Sequence, residues 1–91
     1  VIINANIGTT VSGAIDDVVG LQQILKKHMV QGHYTIHLDG AYLGIVLPVL
    51  KPFGEITNYF SELAVGTLAI SGHKYIGLPT ICGVALSTKS F

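Results

Sequence analysis

Residues 69–83, AISGHKYIGLPTICG, place Lys74 between the imidazole of His73 and the phenol of Tyr75, with small residues before it and glycines on both sides. A lysine held in an apolar pocket has a lowered pKa and becomes nucleophilic near neutral pH, so this amine is a candidate for covalent chemistry. Ser71, His73 and the backbone amides of the small-residue run are donors of the kind a phosphate monoester requires. Taken singly, the same lysine also reads as an exposed side chain in a glycine-rich turn. The second group is Asp39, which ends the apolar run IHLD ahead of GAYLG. A carboxylate at the end of a buried strand is partly desolvated and needs a cationic or donor partner. Aspartate at such a position also caps turns.

Other chemistries find less support in the same residues. His33, His37, Asp39 and His73 are metal-ligating types, and His37 and Asp39 share one face of a strand. No spacing of a zinc motif accompanies them, and no metal is expected. AISGH does not form the nucleophile elbow of a serine hydrolase. Cys82 has no adjacent basic partner and reads as packing. Neither a Walker loop nor a G-x-G-x-x-G run is present, so nucleotide binding is not expected.

The elements that must position these groups follow an α/β pattern. Residues 1–7 are apolar and β-branched, as in a buried strand, and GTTVSG then breaks the pattern with turn formers. Asp16 and Asp17 stand where a helix would begin. Val18, Leu21, Leu25 and Met29 recur at helical spacing, Lys26, Lys27 and His28 fall in the last turns, and Gly32 lies beyond, which predicts a helix over about 16–30. HYTIHLD (33–39) alternates at period two as a second strand. Strand, helix and strand within about 40 residues form a βαβ unit with parallel strands. In such sheets ligands gather beyond the carboxyl ends of the strands, which points to residues 8–10 and to Asp39. GTLAIS (66–71) and GVALST (83–88) read as two further strands, with the lysine segment between them. KPFGEITNYFSEL (51–63) shows no single periodicity.

The 91 residues amount to one domain at most, with 49% hydrophobic and 11% charged residues. A soluble domain carries roughly 25% charged residues, and a small one has the most surface to cover. The expectation is therefore a piece of a larger protein whose remainder covers much of this surface. Without a run of about 18 apolar residues no membrane span is expected; Ala41–Leu50 is the best candidate, and it is short and contains Gly44 and Pro48. A net charge of zero without a basic stripe argues against nucleic acid. A single cysteine forms no internal disulfide and suits a reducing compartment, the cytoplasm.

Three stretches together resemble one family. ANIGTTVSGAIDD (5–17), IHLDGAYLG (36–44) and SGHKYIGLPTICG (71–83) are similar, in order and spacing, to the group II pyridoxal-phosphate-dependent amino acid decarboxylases, most closely the histidine and plant serine decarboxylase branch. Cysteine desulfurases of the same fold type carry a similar S-x-H-K stretch, and the upstream G-T-T-x-x-G-A-x-D-D run favours the decarboxylases. The resemblance implies an α/β fold, a partial segment of the fold type I large domain with a mixed, mainly parallel sheet and flanking helices. Residues 1–91 would then be part of a single cofactor-binding domain, with the N-terminal and C-terminal portions of the enzyme outside it.

By the same resemblance, Lys74 would form the internal aldimine with pyridoxal 5'-phosphate and Asp39 would pair with its pyridine nitrogen. Ala41 would pack on the ring, Thr10 would lie near the phenolic oxygen or the substrate carboxylate, and Ser71 and His73 would contact the phosphate. Asp16 matches an acidic position read as a helix cap. The implied substrate is an L-amino acid, histidine by branch, and the implied partners are the rest of the same enzyme and a second subunit of a homodimer. The segment alone would then be inactive. Other fold type I lyases and a non-catalytic assembly module are the alternatives. Two departures stand out: LPTICG replaces a proline-x-proline-cysteine-glycine pattern, and LDGAY has glycine where D-A-A is commoner, a change expected to matter little because the Ala41 methyl is kept.

Overall fold

A computed structural model of the chain describes residues 1–29, 32–50 and 64–89, without the side chains of Pro48 and Leu50. Four strands, β1 (Ile2–Asn6), β2 (Thr35–Asp39), β3 (Val65–Ser71) and β4 (Gly83–Ser87), form one sheet in the order β1-β2-β3-β4. The β1–β2 and β2–β3 pairs are parallel, and β3–β4 is antiparallel. The expected mixed, mainly parallel sheet is therefore present. Segment 51–63 lies outside the described residues.

Between β1 and β2 runs the helix α1 (Val18–His28). It is shorter than expected at both ends, for local reasons. Asp17 is the N-cap, its Oδ1 accepting the Gly20 N–H at 2.9 Å. Asp16 is not a cap: its Oδ2 accepts the backbone N–H of Asn6 at 2.7 Å and the Asn6 side-chain amide at 3.3 Å. That bond holds Asp16 against β1 and outside the helix. At the other end the Met29 N–H closes on Leu25 O at 2.8 Å and the chain becomes extended. The basic residues Lys26, Lys27 and His28 occupy the last turn, where the helix dipole favours them.

Val18 and Leu25 of α1 join Ala5, Ile36, Leu38 and Leu68 of the sheet in one buried cluster. Gln22 is buried with them, and both ends of its amide are bonded: it donates to Tyr34 Oη at 3.3 Å and accepts the Ala64 N–H at 3.2 Å. The cross-strand row Asn4, His37 and Thr67 lies outside that cluster; within it His37 Nδ1 is 2.7 Å from Thr67 Oγ1. Beyond β2 a turn leads into a short 3-10 segment (Gly44–Val46) and the helix α2 (Leu47–Leu50). Among the described residues no helix is long and apolar enough to cross a membrane.

Candidate functional site

The carboxyl ends of β1 and β2 open onto a cleft of about 210 Å³. Its first wall is the loop after β1. Gly8 leaves the strand with φ of +84°, and a Cβ there would run into the Leu43 side chain, so only glycine turns the chain this close to Leu43. Thr9 shapes the loop: its hydroxyl shares a 2.7 Å hydrogen bond with Ser12 Oγ and accepts the Ala14 N–H at 3.2 Å. Thr10 stands next to it, exposed at the cleft.

The second wall is the turn after β2. Asp39, half-buried, is the last residue of the strand and the register partner of Asn6. Its Oδ1 accepts the Ala41 N–H at 3.2 Å, which folds the turn so that Ala41 and Tyr42 also line the cleft. The turn is seated on β3 by the Gly40 N–H, which donates to Ala69 O at 2.9 Å. A Cβ on Gly40 would lie 2.8 Å from both Gly44 Cα and Leu68 Cδ1. The glycine that replaces the commoner alanine thus has a packing reason of its own.

The third wall is Lys74, from the turn between β3 and β4. It is exposed rather than enclosed in an apolar pocket. The cause is its place at the rim, where residues 74–81 are all exposed. The base of this turn is closed by Cys82, whose carbonyl accepts the Gly72 N–H at 3.2 Å and whose N–H lies 3.3 Å from His73 Nδ1. The same Nδ1 is 3.0 Å from Cys82 O, so the contact serves either imidazole tautomer. The imidazole meets the main chain of Cys82, not its thiol.

Of the residues singled out in the sequence, Thr10, Asp39, Ala41 and Lys74 line one cleft. Ser71 and His73 do not line it. Ser71 ends β3 and its N–H donates to Ala41 O at 3.2 Å, while His73 faces Cys82. Asn6 and Tyr42 line the cleft without having been expected there. Asn6 could have been found from its place at the carboxyl end of β1. Tyr42 meets Tyr75 edge-on, with ring centroids 6.2 Å apart and planes at 70°, a contact that no local pattern announces.

Residues 1–90 match the family model of the pyridoxal-dependent decarboxylase conserved domain. The chain belongs to this decarboxylase family. It is 42% identical over 91 residues to histidine decarboxylase of Solanum lycopersicum, covering 99% of this chain and 21% of that protein. It is 40% identical over 86 residues to serine decarboxylase 2 of Oryza sativa subsp. japonica, covering 94% and 18%. The chain thus spans about a fifth of the length of these curated relatives. Among solved structures it resembles L-methionine decarboxylase from Streptomyces sp. 590, with a TM-score of 0.70 at 25% identity over 96% of this chain and 26% of that one. The four strands and α1 correspond to part of the fold type I large domain. Of the two enzyme readings of the lysine stretch, the matched family is the decarboxylase one.

The described residues fit the family's cofactor, pyridoxal 5'-phosphate, in their donor set. Asp39 offers an anionic acceptor for a ring N–H, Ala41 a methyl for a ring face, Thr10 a hydroxyl and Lys74 an amine, all on one cleft. At about 210 Å³ the cleft is smaller than the roughly 300 Å³ lower end of small-molecule pockets.

Proposed function

We propose that this segment is the cofactor-binding core of a pyridoxal-phosphate-dependent L-amino acid decarboxylase, part of a single large domain whose other portions lie outside these 91 residues. The observation that carries the reading is the shared cleft of Asp39, Ala41, Thr10 and Lys74. Asp39, half-buried, keeps a proton on the ring nitrogen by offering a charged acceptor in partly desolvated surroundings. Ala41 limits tilt of the ring by contact with its face. Lys74 anchors the cofactor through its amine and returns a proton to the substrate's α-carbon. Thr10 orients the ring oxygen or the substrate carboxylate. Ser71 and His73 reach the phosphate from the base of the lysine turn; with Nδ1 taken by Cys82, His73 has Nε2 left for that contact. When bound, the cofactor supplies an electron sink for the pair left as the substrate's carboxylate departs as carbon dioxide.

Histidine is the substrate we assign, on the likeness to the tomato enzyme. A homodimer in the cytoplasm completes the reading, supported by the exposed apolar side chains Ile76, Ile81, Val84 and Leu86, which ask for cover by further protein, and by the lone Cys82. The test uses the full-length protein with pyridoxal phosphate. Borohydride should fix the label on Lys74, and carbon dioxide should be released from histidine faster than from serine. Label on another residue ends the assignment of the site. A preference for serine ends the substrate assignment alone.

A further inference from the structure

The edge-on contact of Tyr42 with Tyr75 joins the two turns that carry the candidate chemistry. Tyr42 lies three residues after Asp39, in the cleft wall, and Tyr75 follows Lys74 directly. The other contacts of the lysine turn act at its base. Gly72 and His73 bond to Cys82, and the Leu78 N–H donates to Gly72 O at 3.4 Å; these bonds close the turn on itself without tying it to the Asp39 turn. The Ser71 N–H bond to Ala41 O ties the end of β3 to the Asp39 turn, but it lies upstream of the lysine. Lys74 itself is exposed and unconfined by apolar neighbours. An aromatic edge against an aromatic face at 6.2 Å and 70° is a favoured arrangement, and it needs the rings but not the hydroxyls.

We propose that Tyr42 and Tyr75 are positioning residues: their ring contact holds the Lys74 turn against the Asp39 turn and directs the amine into the cleft. The proposal rests on Lys74 being the residue that bonds the cofactor. In that step the Nζ lone pair forms a C–N bond with the cofactor's aldehyde carbon, and the aldehyde oxygen leaves as water. Directing the amine changes the rate of that step, because a misplaced nucleophile loses the advantage of proximity. It does not change binding of a cofactor form that makes no bond to lysine.

The experiment uses the full-length protein freed of cofactor. Covalent capture of pyridoxal phosphate is followed by borohydride trapping, which adds a hydride to the new C=N bond, and the affinity for pyridoxamine phosphate is measured in parallel. Tyr75→Ala and Tyr42→Ala should each slow capture about two- to tenfold, the double variant should be no slower than the worse single one, and pyridoxamine phosphate affinity should stay unchanged in Tyr75→Ala, whose side chain does not line the cleft. Tyr75→Phe and Tyr42→Phe should capture at the parent rate. Tyr75 is 53% exposed, so its truncation spares the core, and the melting temperature of the cofactor-free protein provides the check on folding. Capture at the parent rate in the alanine variants, additive losses in the double variant, or an equal loss of pyridoxamine phosphate affinity in Tyr75→Ala would each overturn the proposal. Absence of label on Lys74 in the parent protein would instead remove the reading on which it rests.

Discussion

Asp39 and Asn6 face each other as register partners at the carboxyl ends of two parallel strands, and both line the cleft. The pairing puts a charged acceptor where a ligand must enter, with its Oδ1 already oriented by the Ala41 N–H. Asp39→Asn keeps that shape and that bond and removes the charge. The expected result in the full-length protein is a fall of about 10²- to 10³-fold in carbon dioxide release, with thermal unfolding nearly unchanged. Undiminished activity would mean that Asp39 serves only as the turn's cap.

Two adjacent carboxylates, Asp16 and Asp17, have separate work. Asp17→Ala removes the N-cap bond to Gly20 and should lower stability by about 0.5–2 kcal/mol, leaving cofactor affinity as it was. Asp16→Ala frees the Asn6 amide, which lines the cleft, and should weaken cofactor binding more than it shortens α1. Chemical denaturation and cofactor titration on both variants separate the roles. The same ratio of effects in the two variants would contradict the division.

Local pattern made much of the fold legible. The helical spacing of Val18, Leu21 and Leu25 and the period-two run ending at Asp39 are properties of neighbouring residues, and both elements appear where they fall. Of the groups that line the cleft, Gly8, Thr9, Thr10 and Asp39 were legible for the same reason, since strand ends mark the ligand side of a parallel sheet. What could not be read depends on partners distant along the chain. Asp16 and Asp17 are chemically alike, and only the approach of Asn6 decides which one caps the helix. The exposure of Lys74 depends on what covers the rim of the sheet, which no stretch around position 74 encodes.

Gln22 illustrates that long-range dependence and carries a prediction about stability. Its partners are twelve and 42 residues away, and through them it joins α1 to Tyr34 and to the residue before β3. Gln22→Leu keeps the volume and the helix propensity. It leaves the buried Tyr34 hydroxyl without this donor and the Ala64 N–H without this acceptor, and should lower unfolding free energy by about 1–3 kcal/mol. Urea denaturation would show it; a gain in stability would mean that those groups find water instead.

Gly40 decides how closely the Asp39 turn seats on the sheet. An added methyl meets Gly44 Cα, a backbone atom that cannot swing aside, as well as Leu68 Cδ1 from the core. Gly40→Ala gains some stability by restricting the unfolded chain, about 0.4–1 kcal/mol, but overpacking of this kind costs about 1–3 kcal/mol, so net destabilisation is expected. The displaced turn carries Asp39 and Ala41 with it, and cofactor affinity should fall together with the unfolding midpoint. Leu68→Val, which trims the side-chain part of the clash, should restore only part of the loss because the Gly44 backbone contact remains. Full restoration by that second change would place the whole constraint on Leu68 and leave the backbone contact without effect.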